Sequence, residues 1–360
     1  MAIATEPVAL DEAKFEAFMG KVVGDLSGAT TSILCSIGDR LGLFKELAQN
    51  GPATSPELAE RAAIHERYAR EWLHGLHAAG YLEHDAEGGR FALPPEHAQA
   101  LAAESGPFFV GGMYQMLPRL LGPFDTLVDS FRTGGGVPQS AYHPELWEGM
   151  ERFSATWIEN HLVQSWLAAM PEARSKLERG ARVADVGCGS GLALLKLAEA
   201  FPRSTFVGYD AFEGQLELAR AHAAQADVGD RVAFRLLDAA AGLPERYDLI
   251  ATFDVIHDAA DPLGLLRSIR EGLEPDGHYL MLEVNASGHV DEAVGPIASM
   301  FYGVSVLYCM TTSLAEAGAA LGTCGMHEAK VRELCDAAGF SSVRRLPIED
   351  PFNALFEARP

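Results

Sequence analysis

Arg182-Val-Ala-Asp-Val-Gly-Cys-Gly-Ser-Gly191 decides how the rest of the chain is read. Val183, Ala184 and Val186 read as the end of a buried parallel strand. Leu192-Ala-Leu-Leu-Lys-Leu-Ala-Glu-Ala-Phe201 follows with apolar residues at helical spacing. Strand, glycine-rich turn and helix open a nucleotide-binding unit. Gly187, Gly189 and Gly191 let the backbone come close to a ligand, because glycine lacks a Cβ and tolerates positive φ. A dinucleotide site needs Gly-x-Gly-x-x-Gly, and Leu192 stands where its third glycine belongs. Asp185, on the strand before the turn, would repel a pyrophosphate and suits a cationic ligand that carries an ammonium and a sulfonium.

The strands that follow end in further candidate ligand groups. Asp210 closes a second strand and lies 19 residues past Gly191, where a carboxylate can accept both hydroxyls of a ribose. Phe212 can lie against an adenine, and Asp238, with Ala239 beside it, can accept the adenine amino group. Phe253 and Asp254, at the end of a fourth strand, are placed for the methionine end of such a cofactor. Glu283 closes a fifth strand and is expected to face the acceptor. Helical stretches separate these strands, which calls for a parallel sheet.

Upstream, residues 11–44 have the spacing of a helix with Phe15, Phe18, Met19, Val22, Val23 and Leu26 on one face. Its small-residue part, Ser27–Gly38, reads as buried between helices or across a subunit interface. Ser55 is the expected cap of a short helix with Pro56 at its first position. A second helix spans Glu66–Ala79, with Tyr68, Trp72, Leu73 and Leu76 on its inner side. A hairpin over 81–93 turns at Gly88-Gly89. Helix, helix, hairpin is a winged-helix module. Between Gly51 and Ala100 it carries four arginines against eight acids, a net −4. Affinity for DNA comes mainly from neutralised phosphates, so the module reads as a dimerisation and packing element. A DNA-binding or non-catalytic regulator stays open as the alternative of another class.

The 360 residues suit two domains, and a 48% hydrophobic share supports a substantial core. A net charge of −22 argues against nucleic-acid partners. No uninterrupted apolar run of about 18 residues occurs, so no membrane span is expected. Met1–Pro7 lacks a signal-peptide layout. The five cysteines include no Cys-x-x-Cys pair, which points to a reducing cytoplasm. His143, His161 and His257 show no paired ligand spacing, so no metal site is expected.

Over nearly its whole length the chain resembles the two-domain class I S-adenosylmethionine-dependent methyltransferases, whose first motif reads acidic-x-Gly-x-Gly-x-Gly. Within them it is similar to small-molecule O-methyltransferases and to a bacterial group typified by a mycobacterial enzyme of unassigned substrate. The segments that carry the likeness are Arg67–Trp72, Phe131–Val137, Val183–Gly189, His257-Asp258 with Asp261-Pro262, and Pro351–Asn353. The resemblance implies an α/β fold: a Rossmann-like, seven-stranded mixed sheet behind an N-terminal winged helix. It implies S-adenosylmethionine as methyl donor, a small-molecule substrate and a homodimer formed through the N-terminal domain. The expected domains are 1–105 for the winged helix, 106–176 for a helical connector and substrate lid, and 177–360 for cofactor binding. In plant-type O-methyltransferases a catalytic histidine followed by aspartate occupies the place of His257-Asp258, though Ala259 here replaces the tryptophan common there. His257 is therefore read either as general base for O-methylation or as a pocket-lining residue, with C- or N-methylation by positioning alone as the other route.

Overall fold

The computed structural model describes residues 10–104, 106–226 and 228–360. The N-terminal heptapeptide and the expected domain boundary at residue 105 lie outside them. Contacts divide the chain into two compact units, between Pro118 and Arg119.

The first unit is a winged helix. The helix Glu12–Arg40 leads into Leu43–Asn50, Ser55–Arg61 and Glu66–Ala78, and a hairpin of β1 (Glu83–Asp85) and β2 (Arg90–Ala92) follows. Phe44, Leu58, Trp72, Leu73, Leu76 and Phe91 form its core. Three local readings are corrected. Thr54 rather than Ser55 caps the third helix. Its hydroxyl accepts from the Glu57 N–H while Glu57 accepts from the Thr54 N–H at 2.8 Å, a reciprocal box that places Pro56 second. Tyr68 is 78% exposed, a position short of the buried stripe of its helix. Within the single chain, Ser27–Gly38 is buried between helices only at Thr31, Cys35 and Gly38, and Phe15, Phe18, Met19, Val23 and Leu26 on the same long helix are exposed.

The second unit is built on a seven-stranded sheet. Its strands are β3 (Arg182–Val186), β4 (Thr205–Asp210), β5 (Val232–Leu236), β6 (Tyr247–Phe253), β7 (Leu273–Val284), β8 (Ser342–Arg345) and β9 (Asn353–Arg359). Their order is β5-β4-β3-β6-β7-β9-β8. All pairs are parallel except those made by β9 with β7 and with β8. The sheet is thus mixed. β3 is buried on both faces from Val183 to Val186, Asp185 included. Successive residues enter opposite layers: Val183, Leu249 and Leu280 go to one core, and Ala184, Ile250 and Tyr279 to the other. The chain order reverses between β3 and β6, and ligands of open α/β sheets bind beyond the carboxyl ends of strands at that point.

Residues 119–176 fold within this second unit. Two π-helical segments interrupt its helices, at Ile158–Trp166 and Ser305–Cys309. The second lies in a 20-residue helix, Pro296–Ala315, with mean hydropathy 1.4, long and apolar enough to cross a bilayer by length and composition alone. The uninterrupted-run criterion passed over it because Ser299, Gly303, Ser305 and Thr311 are interspersed. Its inner side is tied to the unit: the Val137 N–H donates to the Thr311 carbonyl at 3.1 Å, and Tyr142 Oη donates to the Leu307 carbonyl at 2.5 Å.

Candidate active site

The glycine turn sits at the end of β3. Gly187, Gly189 and Gly191 have φ of 73°, 52° and 82°. They serve different ends. A Cβ on Gly187 would stand 2.6 Å from the Val255 side chain, and one on Gly191 would stand 2.6 Å from the Phe234 ring. At Gly189 a Cβ would approach only Gln215, at 3.9 Å, so the space above that residue is free for a ligand. Asp210, from the adjacent strand, closes the turn: its Oδ2 accepts from the Gly189 N–H at 3.0 Å and its Oδ1 from the Phe212 N–H at 2.9 Å. The Ala211 N–H also engages this carboxylate, and of its about four lone-pair positions one stays clear of the backbone for a ligand.

Acid groups dominate this edge. Asp185 is 1% exposed and its Oδ1 has no partner. Burial, reinforced by the Asp210 charge, pushes its carboxyl up to about 8. Asp254 holds a left-handed φ of 56°, and its Oδ1 is likewise unpartnered. Burial raises it to about 7 although the charge of His257 opposes that shift. Unpaired buried carboxyls are costly, and a ligand bearing positive charge would satisfy both. The site therefore fits S-adenosylmethionine: Asp185 and Asp254 could hold its cationic methionine end and Asp210 its ribose. Asp238 is less engaged. It is exposed, lies beyond the end of β5, and spends Oδ1 on capping the turn Ala239–Ala241; Ala239 itself is buried. Phe253 is stacked on Trp166 at 6.1 Å between ring centres, and Phe212 faces Trp147 at 5.5 Å.

His257 follows β6 and is 3% exposed. Its Nδ1 lies 2.6 Å from Glu283 Oε2, and Glu283 Oε1 accepts from the Ile256 N–H at 2.9 Å. An ionised carboxylate can only accept, so Nδ1 carries a proton and Nε2 is the atom left for chemistry. Glu283 is fully buried and faces His257, not an acceptor. The long apolar run of β7 hid this: a carboxylate at its end reads as reaching outward, whereas the partner histidine draws it in. Nε2 stands 3.3 Å from Asp258 Oδ1. Burial depresses the imidazole, but the Asp258 and Glu283 charges and the contact with Cys309 outweigh it and hold His257 well above 6.5.

The inserted helix supplies what sequence reading missed. Tyr308 Oη accepts from Trp147 Nε1 at 3.2 Å, and Tyr142 packs edge-on against Tyr308 at 5.2 Å. Gly136, just past the helix Phe124–Thr133, backs onto the inserted helix so closely that a Cβ would stand 1.9 Å from the Thr311 carbonyl oxygen. Its signal was the apolar stretch Ile297–Met310 between the fifth strand and the last helix, a length that a simple strand–helix–strand repeat does not need.

Comparison with known proteins agrees with this geometry. The family described as "Rv2258c-like winged HTH domain" matches residues 29–103, and a "Methyltransferase domain" family matches residues 177–318. The chain carries an N-terminal winged-helix domain joined to a domain with the class I methyltransferase fold. S-adenosylmethionine is the cofactor of this class. Among curated relatives, a ubiquinone biosynthesis O-methyltransferase from Dinoroseobacter shibae is 29% identical over 39% of this methyltransferase and 59% of its own length. A polyketide synthase from Burkholderia thailandensis is 34% identical over 32% of this chain and 6% of its own. These matches span less than two thirds of the relatives' own length. Among solved structures, mitomycin 7-O-methyltransferase has TM-score 0.70 at 21% identity, covering 97% of this methyltransferase and 100% of that chain. Human N-acetylserotonin methyltransferase, solved with S-adenosylmethionine, has TM-score 0.63 at 18% identity, covering 100% and 99%. These two likenesses show the shared fold.

Proposed function

We propose that this methyltransferase moves a methyl group from S-adenosylmethionine to a hydroxyl oxygen of a small molecule, with His257 as the general base. The observation that carries the reading is the His257–Glu283 pair. A buried carboxylate fixes the imidazole tautomer and leaves Nε2 at the carboxyl edge of the sheet, beside the acidic groups suited to the cofactor. The cofactor supplies an activated methyl on a sulfonium. Asp185, Asp210, Phe212, Asp238, Ala239, Phe253 and Asp254 bind and orient it around Gly187, Gly189 and Gly191. His257 takes the hydroxyl proton on Nε2, and Glu283 stabilises the imidazolium that forms. Trp147, Tyr142 and Tyr308 give the acceptor side aromatic walls, which favours a planar acceptor. The names of the ubiquinone and mitomycin enzymes also describe transfer to oxygen.

The exposed apolar face of the helix Glu12–Arg40 supports a homodimer through the N-terminal unit. On the exposed side of the helix Glu66–Ala78, Glu66 pairs with Arg70 and Glu71 with Arg67, so its arginines are already engaged, which supports packing over DNA binding. Free thiols at all five cysteines accord with a cytoplasmic location.

The test is to incubate the purified chain with methyl-labelled S-adenosylmethionine and a panel of phenols, carboxylates, amines and activated carbons. Label in a phenol or similar hydroxyl, with micromolar binding of S-adenosylhomocysteine and none of NAD, is the expected result. Transfer confined to carbon or nitrogen would refute the oxygen assignment.

A further inference from the structure

His257 shares its pocket with two other side chains of metal-ligand type. Ligand atoms of His257, Asp258 and Cys309 all lie within 4.8 Å of one another. Asp258 Oδ1 is closed to solvent and has no hydrogen-bond partner, although Nε2 is 3.3 Å away. In a tetrahedral zinc site with ordinary Zn–N and Zn–O bonds, those two atoms stand about 3.3 Å apart. Cys309 is buried against the imidazole and comes from the π-helical segment, a distortion frequent at functional sites. Behind the trio, Glu283 holds Nδ1 at 2.6 Å, which is the outer-shell carboxylate that orients a metal-bound histidine. A second grouping, Asp254–His257–Glu283, is accounted for by that same hydrogen bond.

We infer that His257, Asp258 and Cys309 form a binding site for a thiophilic divalent cation of the zinc type. Nitrogen, oxygen and sulfur from three side chains leave a fourth position open. Occupancy places the cation on the Nε2 lone pair, so the bound form cannot receive the acceptor proton, and the site acts as a reversible brake on transfer. The brake rests on the general-base reading; the binding itself does not.

Cobalt(II) is the probe, added to the full-length chain after EDTA treatment and with no acceptor present. The expected result is saturation at about one equivalent, with tetrahedral visible bands and a thiolate-to-cobalt band, all displaced by zinc. Cys309→Ser removes the thiolate band, whereas Cys324→Ser keeps it. Asp258→Asn weakens cobalt affinity by at least about tenfold. Each variant is checked by circular dichroism, and Cys309→Ala replaces Cys309→Ser if the latter does not fold. Absence of the thiolate band in the wild type, or its survival in folded Cys309→Ser, overturns the site. Zinc at saturation should lower methyl transfer at least about tenfold, with recovery on chelation. Loss of turnover in metal-free His257→Ala is measured separately, so failure of the base reading and failure of the metal site are distinguishable.

Discussion

Replacing Asp210 by alanine should weaken S-adenosylhomocysteine binding by about 1.5–3 kcal/mol, or about 10–150-fold. Backbone N–H groups of Gly189, Phe212 and Ala211 engage the carboxylate, and its remaining acceptor capacity is what is proposed for the ribose hydroxyls. A hydrogen bond to a charged group contributes about 1.5–3 kcal/mol. Loss of two would exceed the quoted range, but the site is half-buried and water can replace part of the interaction. The turn also loses its link between β3 and β4, which adds a cost in preorganisation. Asp210→Asn retains one acceptor oxygen and should fall between alanine and wild type. Isothermal titration with S-adenosylhomocysteine measures the affinities, and thermal unfolding checks that each variant folds. A folded Asp210→Ala that binds within about threefold of wild type would refute the assignment of this carboxylate to the ribose.

Asp185→Asn should stabilise the ligand-free protein against wild type while weakening the cofactor. The folded carboxyl sits near 8, above its unfolded value, so wild type loses stability as pH rises from about 4 to about 8, by at most about 1.4 kcal/mol per unit from this group; denaturant unfolding across that range shows whether the gap widens. The acid limb of the pH–rate profile should lie above 6.5, because a raised His257 must shed its Nε2 proton before it can act as base; a limb below 6.5 would show that another group governs it. Glu283→Gln preserves the hydrogen bond but removes the charge, so turnover should fall by about 10–100-fold and the limb should move to lower pH; an unmoved limb would free His257 from Glu283. Paired Phe18→Glu and Leu26→Glu changes on the exposed face of the long helix should yield monomer by light scattering, and a dimer that survives both changes would place the interface elsewhere.

The glycine turn and the central parallel strands were legible because each depends on short-range chemistry: a backbone that needs glycine, and strands buried on both faces; the mixed sheet with its antiparallel β9 was implied only by the family resemblance. Thr54 outcompeted Ser55 as a cap through a reciprocal contact with Glu57 that only the local geometry selects. Burial of Glu283 depends on a pairing across 26 residues, and no periodicity reports it. The inserted helix was the largest gap. Tyr308 and Cys309 reach the site from a segment whose apolar run carries no motif, and the π-helical turn that accompanies them has no signature in residue order.

The most direct test is a single-turnover measurement on metal-free His257→Ala with an accepted hydroxyl substrate and saturating S-adenosylmethionine. Loss of turnover by about 10²–10⁴-fold, with S-adenosylhomocysteine affinity near wild type, is the predicted result. His257→Gln should be nearly as poor, because glutamine can hold the hydroxyl but cannot accept its proton. A His257→Ala enzyme that keeps most of its turnover would contradict the account and leave an acceptor that needs only positioning.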